Sequence, residues 1–137
     1  MLERLQPTVA VLDRKPRATE SQLTALVSRY PAVPGDHLQL LREATEIELQ
    51  LPRSKYVRIW GPADCIDQDE GYGISRRMPG AIPIGDDGGG SVLFYLDGKE
   101  GFGLYRVGYG NLDAEDAIRV APSLTEFLCN GVGFNML

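Results

Sequence analysis

Three consecutive glycines at positions 88–90 separate a short apolar run, residues 82–84, from the most strand-like segment of the chain, residues 92–96. Glycine accepts backbone angles that other residues resist, so such a loop reverses the chain tightly or lets another backbone approach closely. Asp86 and Asp87 precede the glycines and make the loop acidic. The loop therefore fixes where one strand ends and the next begins, and its charge raises the question of whether it also binds a ligand.

The acidic glycine loop lacks the features of a phosphate-binding loop. A P-loop ends in a lysine that meets the phosphates, whereas Ser91 follows the glycines here and two aspartates would repel an anion. No βαβ unit surrounds the loop, as a dinucleotide site requires. Adjacent carboxylates on an extended segment also point to opposite sides and rarely act on one bond. We therefore expect Asp86 or Asp87 to accept hydrogen bonds from loop amides and fix the turn.

Length and composition predict one domain with its own core. The chain has 137 residues, of which 43% are hydrophobic and 24% charged. No apolar run approaches the roughly 20 residues that span a bilayer, and the first residues lack the pattern of a secretory signal, so we expect a cytoplasmic protein. The net charge of -5 argues against a general nucleic-acid binder, while an acidic surface attracts basic protein partners.

The histidine and cysteine content limits the available chemistry. His37 is the single histidine, which removes mechanisms that need two, and we expect it to pack in the fold or face solvent. Cys65 and Cys129 are far apart and form no C-x-x-C pair, so we expect free buried thiols rather than a zinc or redox site. No serine lies in a nucleophile-elbow pattern. The sequence thus predicts no cofactor and no covalent catalysis.

Helix-start signals mark three helices. Thr19 and Gln22 fit a capping box before an apolar stripe at helical spacing, and Asp36 is predicted to cap a second helix. Ser123 with Glu126 predicts a second capping box, for a final helix that ends at Asn130-Gly131. Residues 1–18 precede these signals and are predicted to form an arm or an edge strand, and residues 19–137 the main domain.

Alternating patterns predict two hairpins. Residues 46–51 and 55–60 alternate between polar and apolar side chains around a short turn, and residues 92–96 pair with 102–107 around a tip at 97–101. A further short strand is expected to end near Val120. Pro62 suits the first position of a helix that continues to Glu70, where Gly71-Tyr72-Gly73 breaks it.

The helix predicted from Pro62 concentrates acidic residues: Asp64, Asp67, Asp69 and Glu70. Hard cations prefer several carboxylate oxygens, yet the spacing does not match an EF-hand loop. Carboxylates also favour the first turn of a helix, which makes a solvated acidic face the simpler interpretation. A contact surface for a basic partner is more credible than a metal site.

The order of these elements resembles the SMI1/KNR4 (SUKH) superfamily. The resemblance covers residues 19–131, and its most telling parts are Ile-Gly-x-Asp-Gly-Gly-Gly before a strand and the terminal Ala-x-Ser-hydrophobic-x-x-Phe-Leu helix. The stretches that carry it are the Pro34-Gly35-Asp36 entry into the second helix, Trp60-Gly61-Pro62 leading to Ile66 and Glu70-Gly71-Tyr72, residues 84–90 and residues 118–128. Two departures are Ser91, where the family often has an acidic residue, and residues 43–46, where an Asn-Gly commonly closes the second helix.

The resemblance implies an α+β domain, with a mainly antiparallel sheet flanked by helices, that binds other proteins. Bacterial members are regarded as immunity proteins that neutralise secreted toxins, often nucleases, and fungal members serve in cell-wall signalling. We therefore expect a non-enzymatic immunity protein that binds a basic cognate toxin. The alternatives are a small metal-dependent hydrolase that uses the aspartates, and a regulatory scaffold without a toxin partner. The residues expected to form the partner surface are Asp64, Asp67, Asp69, Asp86 and Asp87.

Overall fold

Seven strands form one antiparallel sheet whose spatial order follows the order of the chain, in a computed structural model that describes all residues, 1–137. Each strand pairs only with the strands before and after it in sequence. The strands are β1 (Ala10–Lys15), β2 (Thr45–Leu51), β3 (Lys55–Ile59), β4 (Ile82–Asp86), β5 (Ser91–Gly98), β6 (Gly101–Gly108) and β7 (Ile118–Ala121). Both predicted hairpins, β2 with β3 and β5 with β6, are confirmed.

Five helices lie in the longer connections and after the last strand, so the fold is α+β as expected. They are α1 (Glu20–Arg29), α2 (Gly35–Leu41), α3 (Pro62–Tyr72), α4 (Ile74–Arg77) and α5 (Leu124–Asn130). Short 3-10 helices occupy Leu2–Arg4, Pro52–Ser54, Ala114–Asp116 and Phe134–Met136. Helix α3 runs two residues beyond the predicted end at Glu70, and Gly73, within the predicted break, stops it with a φ of 66° in the left-handed region.

The helix caps confirm one prediction and correct another. Thr19 Oγ1 accepts a hydrogen bond from the Gln22 amide at 3.1 Å, and Gln22 Oε1 accepts one from the Thr19 amide at 2.9 Å. Asp36 is not the N-cap of α2, because that position belongs to Pro34. Its carboxylate instead accepts hydrogen bonds from the amide and hydroxyl of Thr125 at 3.0 and 2.9 Å, which ties α2 to α5. A contact between residues so distant in sequence outweighs the local capping role.

One hydrophobic cluster of 34 buried residues joins the sheet to the helices. Strands β4 and β5 are buried over residues 82–86 and 92–96, since α3 packs on β4. Strands β2 and β3 keep the predicted alternation, with one face in the core and the other toward solvent. The sheet is therefore covered on both faces in its centre but only on one face near β2 and β3.

Strand β1 is the open edge of the sheet, and all six of its residues are exposed. Its ladder with β2 is interrupted between Val11 and Asp13 and again between Asp13 and Lys15. Irregular pairing and charged side chains are the devices by which natural proteins discourage a further strand from adding to an edge. Residues before β1 contact the core, since Met1 is 1% exposed and the Gln6 amide donates to the Leu128 carbonyl at 2.8 Å.

The two cysteines are free thiols with different exposure. Cys65 is fully buried on α3, and burial raises the pKa of its thiol well above the ordinary value. Cys129 on α5 is only partly buried. A buried neutral thiol behaves as a small apolar side chain, so Cys65 contributes packing rather than reactivity.

His37 is fully buried in α2, and neither ring nitrogen has a hydrogen-bond partner. Its ring meets the Tyr95 ring edge to face, with centroids 5.9 Å apart. Burial lowers the pKa of His37 from 6.5 to about 4, although the nearby Asp36 carboxylate opposes this shift. The histidine is therefore a neutral packing residue, and charging it in the folded state is unfavourable.

We predict that His37 makes the fold sensitive to acid. The unfolded histidine takes up its proton near pH 6.5 and the folded one only near pH 4, so stability falls as the pH drops through this range. At about 1.4 kcal/mol per pKa unit, the loss attributable to His37 is about 3 kcal/mol. Urea unfolding at several pH values should show a smaller acid loss for His37→Leu than for the wild type. Equal losses in both proteins would contradict the assignment.

Candidate protein-interaction surface

The acidic glycine loop is built around the buried Asp86, which is 7% exposed. Its carboxylate accepts hydrogen bonds from the Trp60 indole Nε1 at 2.8 Å and from the Gly88 amide at 2.9 Å. The preceding Gly85 lies directly on β3, where a Cβ would come within 2.1 Å of the Arg58 carbonyl oxygen. Only glycine permits this approach of the two strands, and it places Asp86 beside Trp60.

Asp87 closes the other side of the loop. Its Oδ1 accepts hydrogen bonds from the Gly89 amide at 2.8 Å and the Ser91 amide at 3.0 Å, while the side chain remains half-buried. The prediction that an aspartate fixes the turn through loop amides is confirmed for both residues, since Asp86 also accepts from Gly88. The loop is held in one shape by its own carboxylates.

Asp69 and Asp86 do not belong to an exposed surface, which corrects two of the expected partner-binding residues. Asp69 is 1% exposed and accepts hydrogen bonds from the Tyr30 hydroxyl and from the amide and hydroxyl of Ser75, each at 2.7 Å. Arg29 adds an ion pair at 3.4 Å. Burial, together with the bond to Asp69, raises the pKa of Tyr30. Asp69 follows Cys65 by one helical turn and so lies on the buried side of α3.

The remaining expected residues lie at the surface. Asp67 is exposed, while Asp64 and Asp87 are half-buried, and none of the three takes part in an ion pair. Glu70, also on α3, is exposed and unpaired. No group of three or more His, Cys, Asp or Glu side chains is arranged to hold a metal ion. Helix α3 thus presents unpaired carboxylates to solvent.

The solvent-facing side of β2 and β3 carries functional candidates that the sequence analysis did not single out. Glu48 lies opposite Arg58 across the two strands, and the Tyr56 hydroxyl donates to Glu48 at 2.5 Å. Arg58 Nε also donates to Asp86 at 3.2 Å. Gly88 rests against the Tyr56 ring, where a Cβ would come within 2.8 Å. Burial and the bond to Glu48 raise the pKa of Tyr56 to about 12.

Two tyrosines complete this surface. Tyr72, the last residue of α3, is 49% exposed, and its ring contacts that of Tyr109 with centroids 4.4 Å apart. The Tyr109 amide donates to the Gly90 carbonyl at 2.9 Å, which anchors this pair to the glycine loop. Burial raises the pKa of Tyr109, with smaller contributions from Asp86 and Tyr72. We call the surface formed by these side chains the tyrosine face, and its members are Glu48, Tyr56, Arg58, Tyr72, Asp87 and Tyr109.

The polar–apolar alternation of residues 46–51 and 55–60 predicted part of the tyrosine face from the sequence. It placed Glu48, Tyr56 and Arg58 on the polar side of the hairpin, but such residues are common on any solvated sheet. Nothing in the sequence paired Tyr72 with Tyr109, because the two residues are brought together only by folding.

A second pair of acidic side chains meets where β2 approaches the start of α3. Glu46 has a φ of 48°, and its Oε1 accepts a hydrogen bond from the Gly61 amide at 2.7 Å. Glu46 and Asp64 line one small pocket of about 160 Å³. Burial and a hydrogen bond with Asp64 raise the pKa of Glu46 from 4.5 to about 7. The carboxyl of Glu46 therefore keeps its proton to a higher pH than an ordinary glutamate.

No protein-family model matches this chain, and a search of curated proteins finds no match. The likeness to the SMI1/KNR4 superfamily thus rests on the motifs quoted above. None of the helices has the length and apolar character needed to cross a membrane.

We predict that Asp86 contributes much more to stability than its neighbour Asp87. Asp86→Ala leaves the buried Trp60 indole N–H and the Gly88 amide without partners, so we expect a loss of about 2–4 kcal/mol. Asp87→Ala removes bonds from more exposed amides and should cost about 1 kcal/mol. Urea unfolding of the two variants measures the difference. Equal losses would show that the indole contact is unimportant.

We predict that Glu46 lowers stability as the pH rises. Its folded pKa is higher than its unfolded value, so the folded protein holds a proton between pH 4.5 and 7 that the unfolded chain has released. The stabilisation is present below pH 4.5 and is lost as the pH passes 7. Glu46→Gln cannot titrate, and its stability relative to the wild type should increase from pH 5 to pH 8 in urea unfolding. If the difference in free energy of unfolding between Glu46→Gln and the wild type stays constant from pH 5 to pH 8, the raised pKa of Glu46 is contradicted.

Proposed function

We propose that this chain is a non-enzymatic protein-binding domain of the SMI1/KNR4 type, an immunity protein that neutralises a basic cognate toxin by stoichiometric binding. The observation that carries the proposal is the pair of exposed, unpaired carboxylates on α3, Asp67 and Glu70, in a chain of net charge -5. Charges that have no partner within the molecule are available to one outside it.

The motif that suggested the superfamily supports the same proposal through its structural use. Gly85 permits β3 and β4 to approach, and Asp86 of the same stretch then accepts a hydrogen bond from Trp60, which belongs to the Trp60-Gly61-Pro62 stretch. Residues from two separate motifs thus form one contact. This is what is expected when the motifs mark a shared fold rather than independent coincidences.

Binding by an acidic surface suits a partner that acts on nucleic acid. A nuclease presents a basic groove to phosphates, and a carboxylate-rich surface complements the same groove. Electrostatic attraction raises the association rate and is weakened by salt. The inhibitor then needs no chemistry of its own, since covering the groove excludes the substrate.

The hydrolase alternative is weaker because two of its candidate carboxylates are already engaged. Asp69 and Asp86 accept two or more hydrogen bonds each from protein groups and are buried. The exposed carboxylates on α3 converge on no buried nucleophile or base, which a hydrolytic site would require.

Charge reversal on α3 tests the proposal. The protein to test as partner is the product of the reading frame next to this gene, and binding and neutralisation of its toxicity are measured by calorimetry and by co-expression. We expect Asp67→Lys with Glu70→Lys to weaken binding by about tenfold or more, chiefly through slower association at low salt. Neither side chain makes an internal hydrogen bond or ion pair, so folding should be unaffected.

The matched control reverses two other exposed acids, Asp97 and Glu100, at the tip of the hairpin between β5 and β6. It changes the net charge by the same amount and should leave affinity within about threefold. If both double variants weaken toxin binding equally, the effect comes from the overall charge of the protein and not from the surface of α3. Failure of the wild type to bind or neutralise the toxin would overturn the proposed function.

A further inference from the structure

We infer that the centre of the partner contact is the tyrosine face, and that the Tyr72–Tyr109 pair receives an arginine or lysine side chain of the partner. This inference rests on the proposed function for the existence of a basic protein partner. It adds the place of the contact and the chemistry that the partner must present.

The composition of the tyrosine face is that of a binding hot spot. Tyrosine and arginine dominate the residues whose truncation costs most affinity at protein interfaces. Tyr72 leaves 49% of its surface in solvent while resting on Tyr109, so a large apolar area is displayed in a fixed place. Covering an exposed aromatic pair with a partner removes its apolar area from water, which favours binding.

The face is held rigid before any partner arrives. The Tyr109 amide is bonded to Gly90, the Tyr56 hydroxyl to Glu48, and the Arg58 guanidinium to Asp86. Gly88 packs against the Tyr56 ring. Side chains that are already fixed lose little conformational entropy on binding, so more of their contact energy appears as affinity.

The charges around the pair select a cation. Arg58 is the arginine of the tyrosine face: its guanidinium is paired with Asp86, and the residue lies opposite Glu48. A second guanidinium, that of Arg76, packs against Gly73 directly after Tyr72, whereas Glu48 and Asp87 take part in no ion pair. Ring faces of tyrosine also attract cations. A positive side chain placed on Tyr72 and Tyr109 therefore meets both the ring faces and unneutralised negative charge.

Truncating Tyr72 and Tyr109 of this protein and measuring its affinity for the toxin tests the position of the contact. We expect Tyr72→Ala with Tyr109→Ala to weaken toxin binding by about thirtyfold or more, as loss of a hot spot does. Tyr72→Phe with Tyr109→Phe should retain binding, because it keeps the rings and removes only the hydroxyls. Phe102, 42% exposed at the opposite end of the β5–β6 hairpin, is the matched control, and Phe102→Ala should change affinity by less than about threefold.

The outcomes separate this inference from the proposed function. If charge reversal on α3 weakens toxin binding but loss of both rings does not, the immunity proposal stands. The inference that the tyrosine face is the centre of the contact with the toxin is then wrong. Thermal melting of the alanine and phenylalanine variants identifies any loss of folding. Weak binding by the alanine variant together with an unchanged melting transition supports the inference.

A titration without the toxin tests the chemistry independently. Nuclear magnetic resonance should show that Ac-Gly-Arg-Gly-NH2 shifts the ring signals of Tyr72 and Tyr109 and the amide signals of residues 88–91. Ac-Gly-Glu-Gly-NH2 should shift them far less, and the arginine effect should disappear in the double alanine variant. Equal effects of the two peptides, or no effect of the arginine peptide, would overturn the inference even if the toxin binds.

Discussion

The Asp86 carboxylate is the contact on which this architecture depends. It receives the Trp60 indole from the end of β3, the Arg58 side chain from within β3, and the Gly88 amide from its own loop. Strands β3 and β4 share only a short ladder, so this buried acceptor supplies much of what holds them together. The approach is possible because Gly85 has no side chain to collide with β3. The contact between β3 and β4 therefore depends on the buried, charged carboxylate of Asp86 and on the absence of a side chain at Gly85.

The same contact explains why a surface for recognition forms beside the loop. Because Asp86 fixes the position of the glycine loop, Gly88 packs against the Tyr56 ring and the Gly90 carbonyl accepts a hydrogen bond from the Tyr109 amide. Helix α3 covers β4 and ends at Tyr72, leaving the polar side of β2 and β3 in solvent. The tyrosine face lies at that step between a covered and an uncovered part of the sheet. Its side chains are held both by the glycine loop, through Asp86 and Gly90, and by the bond between Tyr56 and Glu48.

Two titratable groups, the buried His37 and the half-buried Glu46, change stability with pH in opposite directions. His37 is held neutral by burial and opposes folding under acidic conditions, whereas Glu46 holds a proton beside Asp64 and opposes folding as the pH rises. Stability is therefore bounded on both sides of neutral pH. Glu46 also has a φ of 48° within β2, a backbone conformation that is unfavourable for a residue other than glycine. The same residue therefore carries both an unfavourable backbone conformation and an unfavourable ionisation.

Local patterns predicted the two hairpins, the capping box at Thr19 and the role of the aspartates in the glycine loop, because each depends on residues close together in the chain. The α+β class was implied by the resemblance to a known superfamily. Which acids are exposed depends on contacts between distant segments. Asp69 and Asp67 look alike in sequence, yet one lies on the buried side of α3 against Tyr30 and the other faces solvent. The pairing of Tyr72 with Tyr109 likewise depends on where α3 ends relative to β6. Contacts between distant segments set burial, and burial decides whether a polar side chain stabilises the fold or is free to bind a partner.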